Sequence, residues 1–216
     1  MGEAAGHGRR APFRVTPPEG TVLRRGSAGH NALMAASLKG QLLIASPSIH
    51  DPNFRRAVVY MTEHGDEGAM GLVLNRAAET TVGEAVPDLA WLADGDAVVH
   101  VGGPVAPQSV VVLAEFEEPT LSALLVDDDL GFVPAEVDDV AALSGALRRR
   151  RVFAGHAGWG PGQLEAEMEE ESWIVEPAMR EDVFTAEPDE LWSIVLRRKG
   201  QQYALLSTMP IDPSLN

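Results

Sequence analysis

Residues 153–173 read FAGHAGWGPGQLEAEMEEESW. A β-like run, Arg151 to Ala154, leads into this stretch. Gly155, Gly158, Gly160, Gly162 and Pro161 then crowd into eight positions, and an acidic helical pattern follows at once. The order is strand, glycine loop, helix, with Pro161 near the first position of a helix over Pro161–Glu171. Units of this kind hold anions at free helix N–H groups and place side chains accurately. The spacing, however, is not GxGxxG, since Gln163 stands three residues after Gly160, and no GxxxxGK[ST] run is present. Glu165, Glu167, Glu169, Glu170 and Glu171 also surround the site with charge of the wrong sign for phosphate. The loop therefore reads as a tight turn that needs positive φ, with Trp159 as its lid. A small-ligand or anion site is the second reading, with a half-exposed Trp159 as contact residue.

Working outward, apolar runs alternate with turn signals. Gln41–Ala45 reads as a buried strand stopped by Ser46-Pro47, and Ala57–Thr62 as a second, preceded by the turn Asp51-Pro52-Asn53. Glu63–Gly68 reads as a loop and Met70–Leu74 as a strand, the hairpin neighbour of the second. Thr81–Leu89 reads as a short helix, because Thr81 and Glu84 have capping-box spacing. Ala97–Val101 and Ser109–Ala114 are strands around Gly102-Gly103-Pro104. Leu121–Val126 and Leu130–Val133 flank an acidic turn, Asp127–Asp129.

Asp138–Arg150 begins with acids, ends with arginines and carries Val140, Leu143 and Leu147 as a stripe, which predicts a helix. On that reading Arg148–Arg151 complement a helix C-terminus. Trp173–Val175 reads as a strand, Pro188–Lys199 as a helix stopped by Gly200, and Tyr203–Ser207 as a closing strand. Strands first and helices alternating later predict an α/β (α+β) fold, a mixed sheet flanked by helices, in a single domain over 38–216. Residues 1–37, rich in Gly, Pro, Arg and Ala, read as a disordered extension or a mis-assigned start.

Composition narrows the function. The chain has 216 residues and a net charge of −15. Residues 1–37 hold five arginines against two glutamates, so the remainder holds 12 basic against 30 acidic side chains. A body so negative repels phosphate backbones, which argues against direct DNA binding. Cysteine is absent, which excludes disulfides, thiolate metal sites and cysteine nucleophiles. No apolar run approaches the roughly 18 residues of a membrane span. No secretory signal is evident either, and the chain is expected to be cytoplasmic.

No complete catalytic set emerges. His50, His64, His100 and His156 form no HExxH pair, and His100 reads as a core histidine inside an apolar strand. Ser46, Ser48, Ser109, Ser144 and Ser207 lack a GxSxG elbow. Glu63-His64 or His156 could serve a metal-dependent or hydrolase-like site only at strand ends, so no metal or cofactor is assigned.

Several segments together carry a resemblance. LLIASPSIHDPNFRRAVVYMTEH (42–64), GAMGLVLNR (68–76), VGGPV (101–105) and GHAGWGPGQLEAEMEEESWIVEPA (155–178), with DELWSIVL (189–196) following, resemble the YqgE/AlgH family of bacterial proteins, in its actinobacterial form. The resemblance implies a compact α/β domain with a mixed sheet between helices. It implies no established reaction; some members carry the label of transcriptional regulator. His156 stands where a tyrosine is expected, and Ala114 where many members have a histidine. The expectation is a binding or regulatory protein without catalysis, with an unassigned protein partner or small ligand. Its candidate site is Asn75, Gly102, Gly103, His156, Trp159 and Gln163. A regulator acting on DNA and an enzyme near His64 and His156 are the alternatives.

Overall fold

The computed structural model describes Arg14–Val15 and residues 37–93 and 95–209. The extension expected over 1–37 lies outside the described residues, apart from Arg14–Val15 and Ser37. In chain order the strands and helices are β1 (Arg14–Val15), β2 (Gln41–Ala45), β3 (Val58–Gly65), β4 (Gly68–Val73), β5 (Ala77–Thr81), α1 (Val82–Ala85), β6 (Val98–Val101), β7 (Val105–Phe116), β8 (Leu124–Asp127), β9 (Leu130–Phe132), α2 (Val140–Gly145), β10 (Leu147–Trp159), α3 (Gln163–Glu169), β11 (Trp173–Pro177), α4 (Arg180–Val183), α5 (Leu191–Lys199) and α6 (Gln201–Ser207). The main sheet runs β11-β2-β3-β4-β10-β7-β9-β8, with β6 also beside β10 and β5 beside β6. Most pairs are antiparallel, but β6–β10 and β1–β7 are parallel, so the sheet is mixed as expected.

β10 joins the two halves. Over 147–156 it pairs with β7, and over 157–159 it pairs with β4. Between them the register shifts at Ala154/His156, where Gly155 has φ +69°. That bulge inverts the alternation of the strand. Phe153 joins the core under α5, whereas Ala157 and Trp159, which an unbroken strand would put on the same face, join the core on the opposite side. A Cβ on Gly155 would stand 2.6 Å from the Gly103 carbonyl oxygen, and one on Gly103 would stand 2.2 Å from the His156 carbonyl carbon. VGGPV and the glycines after Phe153 are thus two halves of one backbone crossing.

Alternation elsewhere divides the core cleanly. Leu42, Ile44, Val58 and Tyr60 face α5, where Leu191, Trp192, Val195 and Leu196 pack on them. Leu43, Ala45, Val59 and Met61 face the other way, onto Trp159, Leu164 and Trp173. A third cluster, with Val110, Val112 and Phe116, is covered by α1, α2 and the 3-10 turn Pro87–Leu92. Sharing β10, the halves make one domain.

Several expectations are corrected. The helix expected over Asp138–Arg150 stops at Gly145, although Asp139 caps it by accepting from the Ala142 N–H. Leu147 already opens β10, so Arg148–Arg151 lie on a strand: pairing with β7 over its length outweighs local helix propensity. Tyr203–Ser207 is helical rather than a strand. Gly200, at φ +135°, ends α5, and α6 lays Tyr203 and Leu206, three apart, on the α5 core. The glycine loop is mostly strand, with only Gly160–Gly162 outside β10 and α3. β3 extends through Glu63–Gly65, and Pro87 divides the helix expected over Thr81–Leu89 into α1 and the 3-10 turn. The capping box of Thr81 and Glu84 is formed.

Candidate functional site

The turn between β2 and β3 and the end of β4 build a cavity of about 390 Å³. Arg55 and Arg56 come from the first, Asn75 and Arg76 from the second, and Asp189 and Trp192 from the entry to α5. Asn75 is buried and clamps the turn: its Oδ1 accepts from the Val58 N–H at 2.9 Å and its Nδ2 donates to the Arg56 carbonyl at 2.8 Å. That clamp holds Arg56 at φ +55°, a left-handed conformation that a side chain of this type seldom adopts. The Arg56 guanidinium lies over the Trp192 ring, 4.7 Å from its centroid, and donates to the Met209 carbonyl. Arg76 donates to the carbonyls of Arg55 and Asn75.

Three guanidinium groups therefore share one cavity, and among the described residues its lining offers a single acid, Asp189. Burial, and next the charge of Arg55, pull the pKa values of both Arg56 and Arg76 below the ordinary arginine value, with Asp189 opposing this at Arg76. The arginines still carry their charges at neutral pH. The result is a local positive field in a chain of net charge −15.

Of the six candidate residues from the sequence, Asn75 lines this cavity. Gly102 and Gly103 pack against Gly155 and His156 at the crossing. Gln163 caps the turn by accepting from the Gly160 N–H at 3.1 Å. Trp159 is buried, not half-exposed, at 6%. Glu167 accepts from the indole N–H groups of both Trp159 and Trp173, at 3.0 and 2.8 Å, and Phe54 packs edge-on to Trp173. The glutamates after the glycines thus include one that ties two tryptophans together. His156 is half-buried, and burial lowers its pKa. His64 accepts from the Leu38 N–H at Nδ1, so Nε2 carries the proton and donates to Glu165 at 3.0 Å. Among the described residues no group of three His, Asp or Glu is placed to hold a metal ion.

The AlgH-like family model matches residues 42–204, and every segment that lines the arginine cavity lies inside that range. The chain belongs to the AlgH-like family. A UPF0301 protein of Streptomyces coelicolor is 42% identical over 187 residues, covering 84% of this chain and 96% of its own. One from Thermobifida fusca is 41% identical over 191 residues, covering 83% and 96%. A crystal structure of a Corynebacterium diphtheriae protein superposes with TM-score 0.71 at 29% identity, over 79% of this chain and 91% of that one. The solution structure of AlgH from Pseudomonas aeruginosa gives 0.60 at 30%, over 84% and 98%. The family resemblance of the motifs is thereby established, and so is the fold.

Sequence reasoning missed the arginines of this AlgH-like chain, although PNFRR and VLNR stood in the quoted motifs. The signal was available: Arg55, Arg56 and Arg76 are basic positions bordering strands in an acidic body.

Proposed function

We propose that this protein is a cytoplasmic, non-catalytic binding protein whose ligand is a small, multiply charged anion such as a phosphorylated metabolite. The observation that carries the reading is the gathering of Arg55, Arg56 and Arg76 round one cavity of about 390 Å³ with Asp189 as the one acid among the described residues of its lining. The volume falls in the range of small-molecule sites. A polyanion relieves the mutual repulsion of the guanidinium groups, and arginine offers it planar, charge-assisted hydrogen bonds. Asn75 acts as the positioning residue that fixes the Arg56 turn. Occupancy would bind the β2–β3 turn to the start of α5, giving a regulatory protein a ligand-dependent surface.

Calorimetric titration with inorganic pyrophosphate tests this. Saturable binding is expected, weakening as salt rises from about 20 to about 200 mM. Arg55→Gln and Arg76→Gln should each weaken it by about tenfold or more, the contribution of a hydrogen bond to a charged group. Absence of both binding heat and thermal shift at millimolar pyrophosphate would remove the proposal.

A further inference from the structure

Two side chains that line the arginine cavity, Arg56 and Ser193, also hold the end of α6. Arg56 donates from Nη2 to the Met209 carbonyl, and Ser193 donates from Oγ to the Ser207 carbonyl at 3.5 Å. Carbonyls at a helix C-terminus lack partners within the helix and form its negative end, and α6 has no basic residue in its last turn. A guanidinium grips an oxyanion through one of two forks, Nε with Nη2 or Nη1 with Nη2. Arg149 uses the first on Glu115, and Arg198 the second on Asp182. Both forks need Nη2, and each of its two hydrogens belongs to one fork. The Met209 carbonyl therefore closes one fork of Arg56 and sets its oxygen against an anion at the other. The element that does this is lightly held. α6 has seven residues, none of them buried, and Leu205 is 73% exposed. Tyr203 and Leu206, partly buried, pack on the α5 core. The joint to α5 is Gly200, at φ +135°, where a Cβ would meet nothing within 4 Å. Elements with so little buried surface are released at low cost.

We propose that α6 is an autoinhibitory element of the anion site: its C-terminal carbonyls compete with the ligand for Arg56, and a bound anion releases α6 from α5. The inference rests on the reading of the arginine cavity as an anion site. Release uncovers the part of the α5 core that Tyr203 and Leu206 cover, which supplies the ligand-dependent surface. By linkage, whatever factor α6 takes from the affinity for the anion, the anion takes from the docking of α6.

Pyrophosphate titration and amide hydrogen exchange on the full chain test this. Leu205→Pro breaks α6 in its interior at an exposed position. It should tighten pyrophosphate binding about tenfold, the worth of a hydrogen bond to a charged group. Leu205→Gln, which keeps the helix, should leave the affinity unchanged. In the unmutated protein, saturating pyrophosphate should speed exchange of the amides of 205–209 by up to the same factor, while those of 194–197 in α5 stay protected. Arg56→Gln should speed exchange at 205–209 with no anion present, which reads the contact apart from any ligand. Equal pyrophosphate affinity in the unmutated protein and Leu205→Pro would overturn the inference and leave the anion site standing. Slower exchange at 205–209 on adding pyrophosphate would do the same, because it would make α6 part of the bound state. Pyrophosphate binding by Leu205→Pro alone would support both readings, and binding by neither protein would remove both.

Discussion

Two arginine clusters in this protein have the same formal charge and opposite chemistry. Arg148, Arg149 and Arg180 line a groove with Glu115 and Asp129. Arg149 grips Glu115 with two hydrogen bonds of 2.6 Å, Arg180 reaches Asp129 at 2.9 Å and Asp127 at 3.3 Å, and Arg148 is paired with Asp129. Three cations meet three carboxylates, and the charge is closed. Arg56 and Arg76 instead donate to backbone carbonyls, and with Arg55 they meet one carboxylate, Asp189, among the described residues of the cavity lining. The groove is the larger space, about 820 Å³ against 390 Å³. The proposed anion site therefore rests on uncompensated charge and not on volume. The closed cluster holds β7, β8, β10 and α4 together; the open one is the proposed anion site.

The largest effect that can break this contrast is on stability. Arg149→Met strands the buried Glu115 carboxylate with only the 3.5 Å approach of Arg180 and removes the cation over Phe184. Because Arg149 is partly exposed and Arg180 remains near Glu115, the loss should be about 2–3 kcal/mol, that of a hydrogen bond to a charged group. Arg55→Met, at an exposed position, should change stability by no more than about 0.5 kcal/mol while anion binding falls. Urea unfolding of both variants decides: equal losses would show that the two clusters are the same kind of structure.

Acid lability comes next and should arise outside both clusters. Burial, then the charge of Arg151, lowers the His100 pKa to about 4. Unfolding restores the ordinary value near 6.5, so the unfolded chain binds the extra proton first. The stability from a neutral His100 is complete above about pH 6.5 and is lost as pH falls toward 4, by at most about 3 kcal/mol. His156, lowered by burial, adds in the same direction. His100→Phe should flatten the pH profile of the unfolding midpoint in that window; an unchanged profile would show that the acid sensitivity lies elsewhere.

Asn75→Ala should be milder, about 2 kcal/mol, because it leaves the buried Val58 N–H without its acceptor. It also frees the Arg56 turn, so pyrophosphate affinity should fall although no cation is removed. A stability loss with intact affinity would mean that the turn holds its shape without the clamp.

Local elements of the fold were legible in the sequence, and both arginine clusters were hidden in it. β2, the β3–β4 hairpin, the Thr81 cap and the Asp127–Asp129 turn were readable, since each follows from local periodicity or turn chemistry. β10 was not. Leu147–Arg150 continues a helical stripe, and only the distant partner β7 makes it extended. The glycines of 155–162 were visible as unusual, but the cause of Gly155 lies about 50 residues upstream at Gly103, a contact that no local pattern encodes. Likewise Arg76 gains meaning only when the chain brings it beside Arg55, 21 residues away. Asn75 was named because it lies in GAMGLVLNR, one of the segments that carry the family resemblance; its partners are tertiary.

The smallest predicted effect is the sharpest test of charge compensation. Asp189 is exposed, opposes the lowering of the Arg76 pKa and is the acid in the lining of the open cluster. If uncompensated charge defines that cluster, removing Asp189 must make it a better anion site. Asp189→Asn keeps the shape of the entry to α5 and deletes one negative charge. At the effective dielectric of a protein surface, such a change is worth well under about 1 kcal/mol after screening, or a gain of two- to fourfold in pyrophosphate affinity at low salt. The gain should vanish near 1 M salt, where the screening length is only about 3 Å. Asp129→Asn in the closed cluster should show no such gain, because it loosens Arg148 and Arg180 without turning them toward the cavity. Weakened binding in Asp189→Asn would instead make the carboxylate a part of the site, placing the arginines by attraction rather than diluting their charge.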